Sequence, residues 1–547
     1  MKLTFLGGAK TVTGSCYWMQ TNGKNLLIDC GMFQGHDKEE DLNFEDFPFD
    51  VRSIDYVLLT HAHIDHSGRI PKLCKDGFKG KIICTKATAD LCAIMLPDSG
   101  YIQETEVEWK NRKRQRAGKP LIEPLYTYQD ALDCLQFFSP VPYHQEVRLQ
   151  GNITIKFSDA GHILGSSILE IWVNENNSET KVVFSGDLGN QDIPLLKDPE
   201  IIESADYLII ESTYGNRIHK EKENKVRKLL NIMEETIAKG GNVVIPSFAV
   251  GRTQEIIYEI HKYRELYKND MEFLTHVPVY VDSPLAISAT EVFRKNLDCY
   301  DEEARAYIEN GDNPLDFPNL KFTRTPDESR QLNEMQEPVI IISASGMCEA
   351  GRIKHHLKHN LWRSNSTVLF VGYQAPGTLG RRILDGAEKV KIFGEEISIN
   401  ARIENIEGYS GHADQQGLLN WVSSFKNKPK KVFIVHGEPE VQYDFSKILK
   451  KQLKLETIIP DRGDSYELTP YTITAQKPLE HLKENFIRLH LLAQLDVLSE
   501  EIYFLTKQLN QEVLNGKDDE EIKVIQSEIE EIQHSIFQIN LLLKGSV

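Results

Sequence analysis

The chain has 547 residues and a formal net charge of −18. A single core stops growing near about 250–300 residues, so two or three domains are expected. No run approaches the ~20 apolar residues of a membrane span, and the eight cysteines form no Cys-x-x-Cys pair, which excludes a disulfide scaffold and a structural zinc knuckle.

In chain order, Met1–Gly8 reads as a first β-strand rather than a signal peptide, which makes cytoplasm the expected compartment. Leu26-Leu27-Ile28 leads into Asp29-Cys30-Gly31, an apolar run followed by small residues and one ligand-type side chain. The pattern returns with more force at Ile54–Leu59, which runs into Thr60-His61-Ala62-His63-Ile64-Asp65-His66. Three imidazoles and a carboxylate in six residues suit zinc and similar divalent ions, and a loop at a strand end turns successive side chains toward one point. As a merely solvated loop, such close imidazoles would repel one another when protonated. Residues 98–118 form a polar, helical stretch whose basic run Lys110–Arg116 reads as a solvated face, with RNA contact as the alternative. Ile153–Phe157 then leads to Gly161-His162-Ile163, and Lys181–Phe184 to Ser185-Gly186-Asp187, each supplying one more ligand type. Alone, Asp29 or Asp187 would be a turn former; beside the histidine cluster each becomes a candidate.

From about Asn216 the pattern changes to strand, small-residue loop, helix, which is that of a doubly wound α/β domain. Its loops carry Ser247, Arg252, Ser345, Arg352, Lys354, Gly377, Thr378, Arg381 and Arg382. In an open parallel sheet ligands bind at the carboxyl ends of the strands, so these are candidate phosphate contacts, although each cation is equally an ordinary helix-start residue. Beyond Leu468, Leu491, Leu495, Leu498, Ile502, Leu505 and Leu509 step by threes and fours, as do Ile522, Ile525, Ile529, Ile532, Ile536 and Ile539. With Asn515-Gly516-Lys517-Asp518 between them as a turn, they read as an antiparallel helical hairpin, packed on its own body or on a second copy in a homodimer.

The His-x-His-x-Asp-His cluster, with a later His and Asp at strand ends, resembles the metallo-β-lactamase superfamily. Ile210-Glu211-Ser212-Thr213-Tyr214-Gly215, Gly411-His412-Ala413-Asp414 and Val435-His436-Gly437-Glu438 are similar to motifs A, B and C of its β-CASP nucleases. The resemblance runs from about Met1 to Leu468. It implies a metallo-β-lactamase αββα sandwich (1–215 and 401–468) with an inserted α/β β-CASP domain (216–400), leaving 469–547 as a C-terminal extension. It also implies two zinc ions per chain: His61, His63 and His162 on one, Asp65, His66 and His436 on the other, Asp187 bridging, and Asp29 orienting a ligand. Two such ions lower the pKa of a shared water and clamp a phosphoryl oxygen, so the nucleophile is a hydroxide and the products carry a 5′-phosphate and a 3′-hydroxyl. His412, held by Glu211, is the candidate proton donor to the leaving oxygen.

The expectation is a zinc-dependent ribonuclease acting on single-stranded RNA. RNA is favoured over DNA because RNA-acting members carry His at motif C, as His436 does here. A DNA nuclease, a small-molecule ester or thioester hydrolase and a non-catalytic scaffold remain as alternatives; the large insert and the intact ligand set weigh against the last two. The acidic balance argues against tight general binding and for a short footprint in the cleft.

Overall fold

The computed structural model describes residues 1–514 except 36, 220–224, 268–271, 376, 407 and 471, together with the single positions 525, 529 and 532. Residues 1–489 form one compact unit. Two sheets face each other in its sandwich. The first has eight strands in the order Ile473–Gln476, Ser465–Leu468, Lys2–Gly7, Cys16–Thr21, Lys24–Ile28, Tyr56–Leu58, Lys81–Thr85 and Phe138–Val141. The second has seven, ordered Thr457–Ile458, Lys431–Ile434, Tyr207–Ile210, Ser178–Phe184, Ser167–Glu175, Ile153–Asp159 and Val147–Leu149.

Period-two alternation decides which side chains lie between the sheets. Val182 and Phe184 join Leu3, Phe5, Leu26, Ile28 and Phe433 in the inner core. Val183, between them in sequence, packs on the outer face with Ile210, Leu418, Trp421 and Phe445. Helices cover both outer faces, giving the αββα sandwich that the resemblance implied. On the first sheet's side, Lys86–Arg116 begins earlier than the polar stretch from residue 98, because Leu91, Cys92 and Leu96 supply a buried face.

The inserted sheet has six parallel strands in the order Leu320–Phe322, Val279–Val281, Ile340–Ser343, Val243–Pro246, Thr367–Phe370 and Arg402–Asn405. Arg402–Asn405 is its edge strand, so the chain enters the sandwich again after it. Parallel strands alternating with helices make the doubly wound α/β domain. A helix spans Glu480–Leu514. The turn at 515–518 and most of the second arm of the expected hairpin lie outside the described residues. Among the described residues no helix is long and apolar enough to cross a membrane.

Candidate metal centre and acid pair

Parallel register brings the site together. Phe184 pairs with Ile209, and Ile210 with Ile434, so the chain leaves three adjacent strands at the same edge. The residues that follow are Asp187, Glu211 and His436. Across the sandwich Ile28 pairs with Leu58, placing Asp29 beside the histidine loop. Asp29 (φ 58°) and His436 (φ 49°) hold left-handed backbone, which is uncommon for non-glycine residues and recurs at functional turns. Gly31 has its own reason to be there: a Cβ would stand 1.6 Å from the Asp65 carbonyl oxygen.

Two clusters of candidate metal ligands share Asp187. In the first, His61 Nε2 and His162 Nε2 each lie 3.2 Å from His63 Nδ1, and Asp187 Oδ2 is 3.5 Å from His61 and 3.7 Å from His162. In the second, His66 Nε2 is 3.1 Å from His436 Nε2, which is 3.4 Å from Asp65 Oδ2, and Asp187 Oδ1 lies 3.3 Å from His66 and 3.7 Å from His436. Four ligands tetrahedrally placed at zinc distances are about 3.3–3.4 Å from one another. Both Asp187 oxygens are buried without a hydrogen-bond donor. A carboxylate in that position needs cations on both sides, and the nitrogen donors around it suit a borderline-soft divalent ion.

The protonation states agree with ligation except at His66, whose Nε2 carries a proton that an ion would have to displace. Burial holds His61 down at about 3, and lowers His63 and His162 as well, so all three are neutral imidazoles. Burial opposes charge on Asp187, but His436, His66 and His61 outweigh it and keep the carboxyl well below its usual range. Burial likewise opposes charge on Asp65, where His436 and His66 prevail. On His66, burial is overcome by Asp187 and Asp29, which raise the imidazole.

Behind the ligands run two matching relays. His61 Nδ1 donates to Thr60 Oγ1 (3.1 Å), whose hydroxyl donates to Asp29 Oδ2 (2.9 Å). His436 Nδ1 donates to Thr213 Oγ1 (3.0 Å), whose hydroxyl donates to Glu211 Oε2 (2.6 Å). Asp29 also accepts from His66 Nδ1 at 2.8 Å. Each relay fixes one imidazole tautomer with its Nε2 lone pair turned inward. The roles of Thr60 and Thr213 were not evident in the sequence, since a threonine beside a ligand looks like any other. Their one signal was position: each lies within two residues of a site residue at a strand end.

His412 stands against this centre. Its Nδ1 is 3.3 Å from Glu211 Oε1 and 3.9 Å from Asp187 Oδ2, and it retains 21% exposure. Burial lowers its affinity for a proton, but Glu211 and then Asp187 raise it to about 9. The Leu188 N–H donates to Glu211 Oε1 (2.7 Å), and the Ala413 N–H to the Leu188 carbonyl (2.7 Å), pinning the segment. His162 Nδ1 donates to the Gly411 carbonyl (3.1 Å), so the loop that carries His412 also orients a ligand. His219, which the sequence did not single out, donates from Nε2 to the His412 carbonyl at 3.1 Å.

The candidate phosphate residues gather at the carboxyl ends of the inserted strands, in differing states. Arg252 is paired with Glu255 and lies over the Tyr409 ring at 5.3 Å, and Arg352 donates to Asp282 Oδ1 at 2.6 Å. Arg381 faces Asp385 at 2.9 Å, Lys354 donates to the Glu349 carbonyl, and Thr378 caps the helix Leu379–Leu384 just after Gly377 (φ 81°). Ser247 is buried and accepts from Thr253; Ser345, half-buried, bridges to Ala350.

Three family models match the chain: the metallo-beta-lactamase superfamily over residues 9–127, the Beta-Casp domain over 253–383, and the Zn-dependent metallo-hydrolase RNA specificity domain over 396–460. A ribonuclease of Thermus thermophilus is 37% identical over 82% of this chain and 96% of its own. The transcription termination factor FttA of Methanocaldococcus jannaschii is 32% identical over 85% of this chain and 71% of its own. The RNase J-like protein of the same organism is 34% identical over 84% and 98%.

Proposed function

Because the chain belongs to the β-CASP family of the metallo-β-lactamase superfamily, we propose that it is a zinc-dependent ribonuclease cutting single-stranded RNA, with His412 as the proton donor. The observation that carries this reading is the placement of Glu211 and His412 against Asp187, with their ligand atoms within 4.8 Å of one another. His61, His63 and His162 would hold one ion, Asp65, His66 and His436 a second, and Asp187 both. Bound there, a pair of zinc ions supplies Lewis acidity, acidifying a water nucleophile and neutralising charge on the phosphoryl group.

The remaining work falls to side chains. Hydrolysis at phosphorus expels a 3′-oxygen, a poor leaving group unless it receives a proton, and leaves a 5′-phosphate on the other fragment. His412, cationic to about pH 9, donates that proton, and Glu211 stabilises the cation. Asp29 and Thr60 on one side, Glu211 and Thr213 on the other, keep the ligand rings from rotating. Single-stranded RNA as the substrate rests on the ribonuclease relatives and on the model named for RNA specificity. We also propose a homodimer, because Leu491, Leu495 and Leu498 are exposed on one helix and form a stripe that a second copy would cover.

The test uses labelled RNA, single-stranded DNA and a thioester, with and without chelator, on wild type and His412→Ala. The variant is expected to retain two zinc ions per chain by metal analysis and to lose cleavage of RNA. A variant that cuts normally removes His412 from the mechanism, and a zinc-loaded wild type that cuts no RNA overturns the function.

A further inference from the structure

Phe248 lies in the loop joining the strand Val243–Pro246 to the helix Arg252–Leu266, and it is 45% exposed. The loop beneath it is tied down. The Ser247 N–H donates to the Ser343 carbonyl (3.0 Å), Thr253 Oγ1 to the Phe248 carbonyl (2.7 Å), and the Gly251 N–H to Gln254 Oε1 (2.8 Å). The ring rests on backbone without side chains. A Cβ on Gly346 would meet ring atoms Cδ2 and Cε2 at 3.2 Å, and one on Gly372 would meet Cε2 at 3.9 Å. Part of the ring is therefore seated on the loops that follow two neighbouring strands, and the rest is offered to solvent.

A single exposed aromatic is ordinary on a protein surface. Its location is what gives this one a use. The other end of the same short loop lies beside the segment that carries His162: a Cβ on Gly251 would lie 3.5 Å from Ile163 Cγ2, and Ile163 follows His162. Three residues of chain reach at most about 11 Å. Phe248 is thus held by a short tether to a residue packed against the His162 segment. Two cations of the inserted domain's loops, Arg252 and Arg352, are already paired with Glu255 and Asp282.

We propose that Phe248 is a stacking platform for a nucleobase of the substrate, one of the few bases flanking the scissile phosphate. The inference rests on the ribonuclease reading and adds to it the means by which a chain of net charge −18 grips a strand. Stacking needs no long-range attraction of phosphate, and every base has a π-face, so the grip is tolerant of sequence.

The test combines an abasic scan with substitutions. A cleavable RNA is prepared with a single abasic residue at each position around the cut, and kcat/KM is measured for zinc-loaded wild type, Phe248→Leu and Phe248→Tyr. Removing one particular base is expected to cost the wild type about 5- to 150-fold, the range of one base–aromatic stack. Phe248→Leu should lose a similar factor on intact RNA and nothing further on that abasic RNA, while Phe248→Tyr stays near wild type. The loss should fall mainly in KM, with zinc content unchanged. Equal wild-type rates across the scan, which needs no variant, would overturn the platform. So would penalties that simply multiply in Phe248→Leu, and Phe248→Met offers the same comparison if Leu fails to fold. A wild type that cuts none of the RNAs would instead defeat the ribonuclease reading.

Discussion

Thr60→Val removes one hydroxyl and almost no volume from a position 1% exposed, and its consequence can be worked out from three atoms. The hydroxyl accepts from His61 Nδ1 at 3.1 Å and donates to Asp29 Oδ2 at 2.9 Å. Asp29 Oδ2 retains His66 Nδ1, and Asp29 Oδ1 retains the Thr60 N–H, so the carboxylate loses only one of its donors. The His61 ring is affected more. In the metal-free chain it can move its proton to Nε2, so the fold should weaken little. Binding an ion requires Nε2 bare, which forces the proton onto Nδ1 and leaves it facing a methyl group. A buried donor without an acceptor costs about 1–3 kcal/mol. That agrees with the roughly 10- to 100-fold loss of metal affinity typical when a ligand's hydrogen-bond partner is removed. A zinc titration against a competing chelator reads this directly. The expected result is one weakened ion of two, little change in the melting temperature of the metal-free chain, and recovery in Thr60→Ser. Wild-type affinity in Thr60→Val would refute the relay, and equal losses in the Ser and Val variants would show that packing alone was at stake.

Other outcomes follow from the same geometry. Glu211→Gln removes the main influence raising His412 to about 9, so with zinc supplied to saturation the alkaline fall in cleavage rate should move to lower pH; an unmoved limb would detach the pair. Asp187→Asn should abolish cleavage and reduce bound zinc to at most one weak site, read by metal analysis, since one neutral amide cannot serve two ions. Glu259 is raised to about 7, chiefly by burial and against the pull of Lys225. A carboxyl whose folded value is raised destabilises the fold progressively as pH climbs from its ordinary value of 4.5 to about 7. Glu259→Gln should therefore gain melting temperature over wild type at pH 8 and little at pH 4; no pH dependence in the difference would contradict this. Ending the chain after Pro478 should convert a dimer to a monomer by mass in solution, and an unchanged mass would place the interface elsewhere.

The ligand types and their placement after apolar runs were legible because local chemistry dictates them. A strand that ends in His61-Ala62-His63 or Gly186-Asp187 announces both the strand and the ligand within ten residues. The inserted α/β sheet followed from periodicity, whereas the two-layer sandwich and the grouping of Glu211, His412 and His436 came from the resemblance to known motifs. The polar stretch from residue 98 understated its helix, which starts at Lys86, because the buried first turns carry no amphipathic contrast against their charged continuation.

Which nitrogen of each histidine faces inward was not in the sequence, nor was the pairing of Thr60 with Asp29 and Thr213 with Glu211. Hydroxyl relays depend on distances of 2.6–3.1 Å between residues up to 223 positions apart, and only packing sets those. The same holds for the cations of the inserted domain. In the sequence Arg252 and Arg352 were free charges at helix starts; in the fold each meets a carboxylate and is neutralised. The sequence alone determined that side chains able to hold metal stand at strand ends, since ligand chemistry is a property of residues. Tertiary structure decided that Asp187 lies between two ligand sets with His412 beside it, because parallel register, not chain proximity, brings Phe184, Ile210 and Ile434 to one edge.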